Sequence, residues 1–365
     1  MSKRIIISGG GTGGHVFPAI SIANALKSID SEIDILFVGA EGRLEMTKVP
    51  EAGYSIKGLP VAGFARKLSL KNFVVVVKLI RSLVKARKII SGFKPHAVVG
   101  VGGYASGPVL RIAAKKGIPT LIQEQNSYAG ITNKLLAKKA KVICVAYEGM
   151  EKYFPAHKIL FTGNPVRKDL LDIRGREEEA YKYFGLSGEL PVVLVLGGSG
   201  GSRTINHSIA ASLDEFEKEG IQLIWQTGKY YYSEMKQVLD EKKPGNVRVH
   251  AFIDRMDLAY AAADIIVSRA GAGTVSELSL AGKPVILIPS PNVAEDHQTK
   301  NAMALVRDEA AVMINDNEAL EKLSRAIISL VKDESKCASL ADNIKLRAMP
   351  DSDIKIANEV LKLAE

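Results

Sequence analysis

At 365 residues, with 47% apolar and 24% charged side chains, the chain is too long for one ordinary core and has the make-up of a globular protein, so two domains are expected. Cys144 and Cys337 make no disulfide framework, and no apolar run approaches the roughly 20 residues of a membrane span, so a protein of the reducing cytoplasm is expected. The net charge of +9 comes from the first 166 residues, which hold 24 Lys/Arg against 9 Asp/Glu; between Glu51 and Glu124 lie 13 basic residues and no acidic one, which implies an anionic partner such as nucleic acid, phospholipid or a phosphorylated substrate.

The chain enters a buried strand at once, Ile5-Ile6-Ile7 within residues 4–8, with no signal-peptide layout before it. SGGGTGGH follows, then a helix over 17–27. Gly9, Gly11 and Gly14 satisfy G-x-G-x-x-G between strand and helix, so a dinucleotide site is one reading. The acidic partner of that fingerprint belongs about 20 residues on. Glu41 comes 27 residues after Gly14, past a second strand at 35–39, so a glycine loop serving a different phosphate fits as well. His15 stands where loop becomes helix, either as a polar helix-start residue or as a titratable group at a ligand's edge.

A helix is expected over 70–90. At 100° per residue, Lys71, Lys78, Arg81, Lys85 and Lys88 share one arc of about 100°. Phe73, Val76, Leu79, Ile80, Leu83 and Val84 make the side expected to face the core. Val74 lies in the basic arc and Val75 near its edge, so this surface is either a solvated basic face or a membrane contact into which Val74 and Val75 dip. A strand at 97–99 leads into GVGGYASGP. Another at 120–122 delivers Gln123-Glu124-Gln125-Asn126 at its carboxyl end, where open α/β sheets bind ligands. Strands at 142–145 and 159–161 precede Gly163-Asn164-Pro165, the expected linker.

The second half restarts in the same manner. A strand at 192–196 runs into GGSGGSRTIN and a helix, and strands at 221–226 and 247–251 follow. Ile265-Ile266-Val267 is a buried strand, Ala270-Gly271-Ala272-Gly273 a tight turn, and a helix is expected to open at Thr274 and close at Gly282 and Pro284. Strand, small-residue turn and helix N-terminus make an anion site. Thr274-Val275-Ser276-Glu277 equally fits a capping box in which Glu277 only binds backbone. A strand at 285–288, Glu295-Asp296-His297-Gln298 and a helix holding Asn301 follow. The last helix, after Pro350-Asp351, runs to Leu363 and is expected to return to the first domain. Strands and helices alternating twice over predict an α/β protein: two Rossmann-like doubly wound parallel-sheet domains facing a cleft, residues 1–165 with 351–365 and residues 166–350.

SGGGTGGHVFPA, GGYASGP, EQNSYAGITNK, TGNPVR, LGGSGGSRTIN, SRAGAGTVSEL and EDHQTKNA, in that order over essentially the whole chain, resemble the bacterial N-acetylglucosaminyltransferases that complete the lipid-linked peptidoglycan precursor. These are GT-B enzymes with two Rossmann-like domains. Gly200 and Ser202 stand where Gln and Ala are common in that family, and Gln123 where His is common. The resemblance implies a UDP-N-acetylglucosamine donor on the second domain. Glu277 would bind the ribose, Ala272, Gly273, Thr274, Val275 and Ser276 would give backbone and small contacts, and the Ile253 backbone would read uracil. Ser199 and Arg167 would hold the nucleotide, Gln298 and Asn126 the sugar, and Thr12, Gly13 and Gly14 would close the site. Gly103, Tyr104 and Glu124 would receive the acceptor. The implied reaction carries N-acetylglucosamine with inversion to the C4 hydroxyl of undecaprenyl-pyrophosphoryl-N-acetylmuramyl-pentapeptide (lipid I), giving lipid II. The place implied is the cytoplasmic face of the bacterial inner membrane, as a peripheral protein on anionic phospholipid, with other cell-wall synthesis proteins as partners and no nucleic acid.

Direct displacement needs a base and a stabilised leaving diphosphate but no covalent nucleophile. His15 is the preferred base, since an unperturbed imidazole is substantially neutral at pH 7, and Glu124 the fallback. No Asp-x-Asp or Cys/His cluster with ligand spacing occurs, so no essential metal site and no cofactor are expected. The competing readings are a nicotinamide oxidoreductase on Gly9, Gly11 and Gly14, a UDP-N-acetylglucosamine epimerase of the same fold, and a non-catalytic nucleotide-sugar-binding membrane subunit.

Overall fold

The computed structural model describes residues 2–61, 70–166, 170, 173–198, 200–293 and 296–365, with the side chains of 70–74 outside that description. The chain forms two compact units, Met1–Val166 with Met349–Glu365, and Arg167–Ala348.

Unit 1 is built on β1 (Arg4–Ser8), β2 (Asp34–Ala40), β3 (Ser55–Leu59), β4 (Ala97–Gly100), β5 (Thr120–Glu124), β6 (Val142–Val145) and β7 (Ile159–Phe161), all parallel, in the order β3-β2-β1-β4-β5-β6-β7. Its helices are α1 (Gly13–Ile29), α2 (Glu45–Glu51), α3 (Leu70–Phe93), α4 (Ser106–Lys115) and α5 (Ile131–Leu136). A strand buried on both faces reads as continuous apolar sequence. Ile5 and Ile7 accordingly join one core with Ile22 and Leu26 of α1, while Ile6 joins the other with Ala86, Ile90 and Val109 of α3 and α4.

Unit 2 repeats the plan with β8 (Val192–Leu196), β9 (Gln222–Gln226), β10 (Val247–His250), β11 (Ile265–Ser268), β12 (Val285–Leu287) and β13 (Val312–Met313), in the order β10-β9-β8-β11-β12-β13. Around it lie α6 (Glu177–Phe184), α7 (Arg203–Ala211), α8 (Leu213–Lys218), α9 (Tyr232–Lys242), α10 (Met256–Ala262), α11 (Ala272–Ala281), α12 (His297–Arg307), α13 (Ala319–Val331) and α14 (Glu334–Lys345). The last helix, α15 (Ser352–Leu363), belongs to unit 1, where Ile356, Ala357 and Val360 join the core beside α1. The expected fold class, two doubly wound parallel sheets, is what forms. Each sheet reverses its winding between its first and fourth strands in the chain, β1 beside β4 and β8 beside β11. The loops leaving those four strands are where such folds bind ligands.

Several expected elements are corrected. Helix α1 starts at Gly13 and not at residue 17, which puts His15 in its first turn. Strand β5 runs on through Gln123 and Glu124, so these two are sheet residues. Helix α11 starts at Ala272 with extended Gly271 as its cap, so Thr274 lies inside the helix and a box built on a Thr274 cap has no place. Strands β3 and β13 were not foreseen. The first is partly polar along its length and the second only two residues long, and both are sheet edges.

The buried face of α3 lies about a quarter turn from the expected one; Arg81, Lys85 and Lys88 are exposed as expected, and Leu83 is half-buried. Its buried stripe is Val75, Ser82, Ala86, Ile89 and Ile90, whereas Val76, Val77, Leu79, Ile80 and Val84 are exposed, Ile80 at 57%. Ser82 and Ala86 are small, and the Ser82 hydroxyl is satisfied within the helix by the Lys78 carbonyl at 2.7 Å, so this side can lie close against its neighbours. Val75 therefore faces protein and cannot dip into a membrane. Lys78 is half-buried and Lys85 pairs with Glu41 at 2.7 Å, while Arg81 is exposed. The Val74 side chain lies outside the described residues.

Candidate functional site

In unit 1 the loops after β1 and β4 pack on one another. A Cβ at Gly103 would stand 2.3 Å from the Gly10 carbonyl oxygen, and one at Gly102 2.8 Å from Nε2 of His15, so only glycine permits this approach. Gly102 also has φ +93°. Thr12, extended, precedes the first turn of α1; its carbonyl accepts from the His15 N–H at 3.1 Å and its hydroxyl lies 3.4 Å from His15 Nδ1. Gly13 and Gly14 occupy that same turn. Tyr104 is 59% exposed at the mouth of the second loop.

Glu124 is 2% exposed at the end of β5. One oxygen accepts from the Asn126 N–H at 3.1 Å and its side-chain amide at 3.4 Å; the other accepts from the Gly130 N–H and Asn133 Nδ2, both at 2.9 Å. Burial raises its pKa above the ordinary carboxyl range, against the pull of these four donors. A carboxylate so engaged shapes the 126–130 loop. Gln125 Nε2 donates to the Val101 carbonyl at 2.8 Å and so ties β5 to the second glycine loop.

Sequence reasoning missed Glu45. It considered Glu41 as the acid near the first glycine loop, but Glu41 pairs with Lys85. The Glu45 carboxylate accepts instead from the Gly11 N–H at 2.8 Å. A loop amide that a dinucleotide's diphosphate would need is thus already bonded to an anion, which speaks against the nicotinamide reading.

In unit 2 the turn after β11 leads through Gly271 into α11. The first intrahelical bond is from the Val275 N–H to the Gly271 carbonyl at 2.8 Å, so the Ala272, Gly273 and Thr274 amides precede it and form the donor end of the helix. Ala272 and Val275 are buried, and the Ser276 hydroxyl donates to the Ala272 carbonyl at 3.1 Å. Glu277, half-buried one turn on, accepts from the Tyr260 hydroxyl at 3.3 Å. Asn301 of α12 donates to the Ala270 carbonyl, and Gln298 accepts from the Ser290 N–H at 2.8 Å. Ile253 is buried, and its N–H donates to Gln226 Oε1 at 2.9 Å. Gln226 was also missed; it ends β9, and its carbonyl accepts from the Gly197 N–H in the loop that leaves β8. Arg167 and Ser199 lie outside the described residues.

The N-terminal domain of glycosyltransferase family 28 matches residues 5–145, and the C-terminal domain of that family matches residues 192–355. A Parabacteroides distasonis protein is 58% identical, with 99% of this chain and 98% of the relative covered. It is named UDP-N-acetylglucosamine--N-acetylmuramyl-(pentapeptide) pyrophosphoryl-undecaprenol N-acetylglucosamine transferase. Relatives with the same name from Bacteroides fragilis (57%, covering 99% of this chain and 96% of the relative) and Flavobacterium psychrophilum (52%, 99% and 98%) are also similar. Among solved structures, Acinetobacter baumannii MurG superposes with TM-score 0.80 at 27% identity, covering 99% of each chain. A UDP-N-acetylglucosamine 2-epimerase shares the fold alone, with TM-score 0.65 at 14% identity over 99% of this chain and 96% of that one.

Proposed function

The chain belongs to glycosyltransferase family 28, and we propose from this that it transfers N-acetylglucosamine, with inversion, from UDP-N-acetylglucosamine to the C4 hydroxyl of the muramyl unit of lipid I, giving lipid II and UDP. The observation that carries this is 52–58% identity over 99% of the chain to relatives bearing that activity in their names. Transfer of labelled sugar from UDP-N-acetylglucosamine to a short-chain lipid I analogue tests it. Absence of transfer overturns it, and turnover of the donor alone to its C2 epimer moves the chain to the epimerases.

The roles divide as follows. The amide-rich start of α11 suits a diphosphate, and Glu277 beside it suits ribose hydroxyls, which donate to a carboxylate. The Ile253 backbone reads the base, with Ala272, Gly273, Thr274 and Ser276 as close contacts, Val275 contributing backbone, and Gln298 and Asn126 on the sugar. His15 takes the proton from the acceptor hydroxyl as the glycosidic bond to UDP breaks. Glu124, both oxygens engaged, acts as the scaffold of the Asn126 loop. Gly103 and the exposed Tyr104 receive the acceptor.

Among the described residues no helix is long and apolar enough to cross a membrane. The acceptor carries an undecaprenyl chain, so the enzyme must meet it at a bilayer surface. The exposed Val76, Ile80 and Val84 of α3 supply an apolar contact and Arg81, Arg87 and Lys88 charges for anionic phospholipid, at the cytoplasmic face of the inner membrane.

A further inference from the structure

Glu45 is a buried charged group of unit 1 that the proposed reaction leaves without a task. It opens α2, is 1% exposed, and among the described residues no lysine, arginine or histidine pairs with it. Its partners are backbone amides alone: Oε1 accepts from the Ala40 N–H and Oε2 from the Gly11 N–H, each at 2.8 Å. A buried carboxylate without a cation is costly, and space in a core is more cheaply filled by an apolar side chain.

The surroundings are shaped to the carboxylate. A Cβ at Gly10 would stand 2.1 Å from Glu45 Oε1, and a Cβ at Gly39 2.5 Å from its Cγ, so two glycines form its cradle. The other side of Gly10 carries Gly103, and the adjacent Gly102 lies against the His15 ring. Glu45, Gly10, Gly103 with Gly102, and His15 therefore form one continuous stack. Gly11, which Glu45 holds, is followed by Thr12, whose carbonyl accepts from the His15 N–H. Both ends of the imidazole's support run back to this carboxylate.

We propose that Glu45 is a positioning residue: its two oxygens hold the first glycine loop in the one shape that seats His15 for proton transfer. This rests on His15 as the base. Two N–H donors face the side chain, so it must present two acceptors, which a carboxylate does and an amide cannot. An aspartate is one methylene too short to span Ala40 and Gly11.

The test uses the full-length enzyme with UDP-N-acetylglucosamine and a short-chain lipid I analogue. Glu45→Gln should lower kcat roughly 10–100-fold, as displacements near 1 Å do, with UDP affinity unchanged. The Gly11 amide should exchange faster with solvent, and adding Glu45→Gln to His15→Ala should cost no further rate. Glu45→Asp, which keeps the charge, should show the same pattern and provides the reading should the glutamine variant not fold. A wild-type kcat for Glu45→Gln beside a crippled His15→Ala overturns the role of Glu45 alone. Losses that multiply in the double variant overturn the route through His15. A wild-type rate for His15→Ala overturns the base assignment itself, and with it this proposal.

Discussion

Placing one methyl group at Gly102 separates a backbone effect from a catalytic one. In Gly102→Ala the residue keeps φ +93°, outside the range an L side chain tolerates, at a cost of roughly 1–3 kcal/mol. At about 2–4 °C per kcal/mol for a body of this size, the melting temperature should fall by roughly 2–12 °C. The new Cβ would lie 2.8 Å from Cδ2 and Nε2 of His15, where ordinary contact begins near 3.4 Å. Because the ring is the movable partner, it should retreat by about 1 Å, which at a reacting centre is worth on the order of 100-fold in kcat. Gly117→Ala is the control: φ is +76° and nothing lies within 4 Å of the new Cβ, so it carries the strain without the clash. Thermal melts and steady-state kinetics on the short-chain acceptor, with UDP binding by calorimetry, check the pair. Similar melting temperatures with kcat lost only in Gly102→Ala are expected. A wild-type kcat in Gly102→Ala, or an equal loss in Gly117→Ala, would refute the placement of His15 at the reaction.

Glu277→Ala should weaken UDP binding, since each hydrogen bond to a charged group is worth roughly 1.5–3 kcal/mol; calorimetry showing unchanged affinity with a lowered melting temperature would return Glu277 to a structural part. Asp257, 5% exposed, is held at a pKa of about 2 by its hydrogen bond to Arg255 first, with Arg176 adding to it. A depressed carboxyl stabilises the fold above its unfolded pKa and loses that contribution as pH falls through the folded one. Asp257→Asn should therefore cost about 2 kcal/mol at pH 7 and about half of that at pH 3, read by urea unfolding; a gap independent of pH would count against the ion pair. Ile80→Ser with Val84→Ser should reduce sedimentation with anionic vesicles at least about tenfold while sparing turnover of a short-chain acceptor, because each apolar side chain buried in a bilayer contributes roughly 1.5–3 kcal/mol. Equal sedimentation would make this face of α3 ordinary surface.

Runs such as Ile5–Ile7, residues 192–196 and Ile265–Val267, each followed by small residues and a helix, carry the architecture in local sequence. A short, β-branched apolar run bounded by turn residues reads as a strand buried on both faces, and parallel strands need crossover connections. Strand type, crossover and the glycine loops at the strand ends follow from neighbours within about 30 residues. What depended on distant partners was not legible there. The edge strand β3 owes its existence to pairing with β2 more than to its own mixed residues. The buried side of α3 was decided by how closely Ser82 and Ala86 let it approach the rest of unit 1, and hydrophobicity alone pointed to a face about a quarter turn away. Helix α11 begins two residues earlier than its threonine suggested because Gly271 takes the extended cap conformation at the end of β11. Glu124 and Glu45 look alike in sequence, two acids in or after strands. Only the fold brings Gly130 and Asn133 to one, and Gly11 and Ala40 to the other. Sequence determines which groups a chain has to offer; which of their lone pairs are left over for a substrate is settled by donors brought in from elsewhere in the chain.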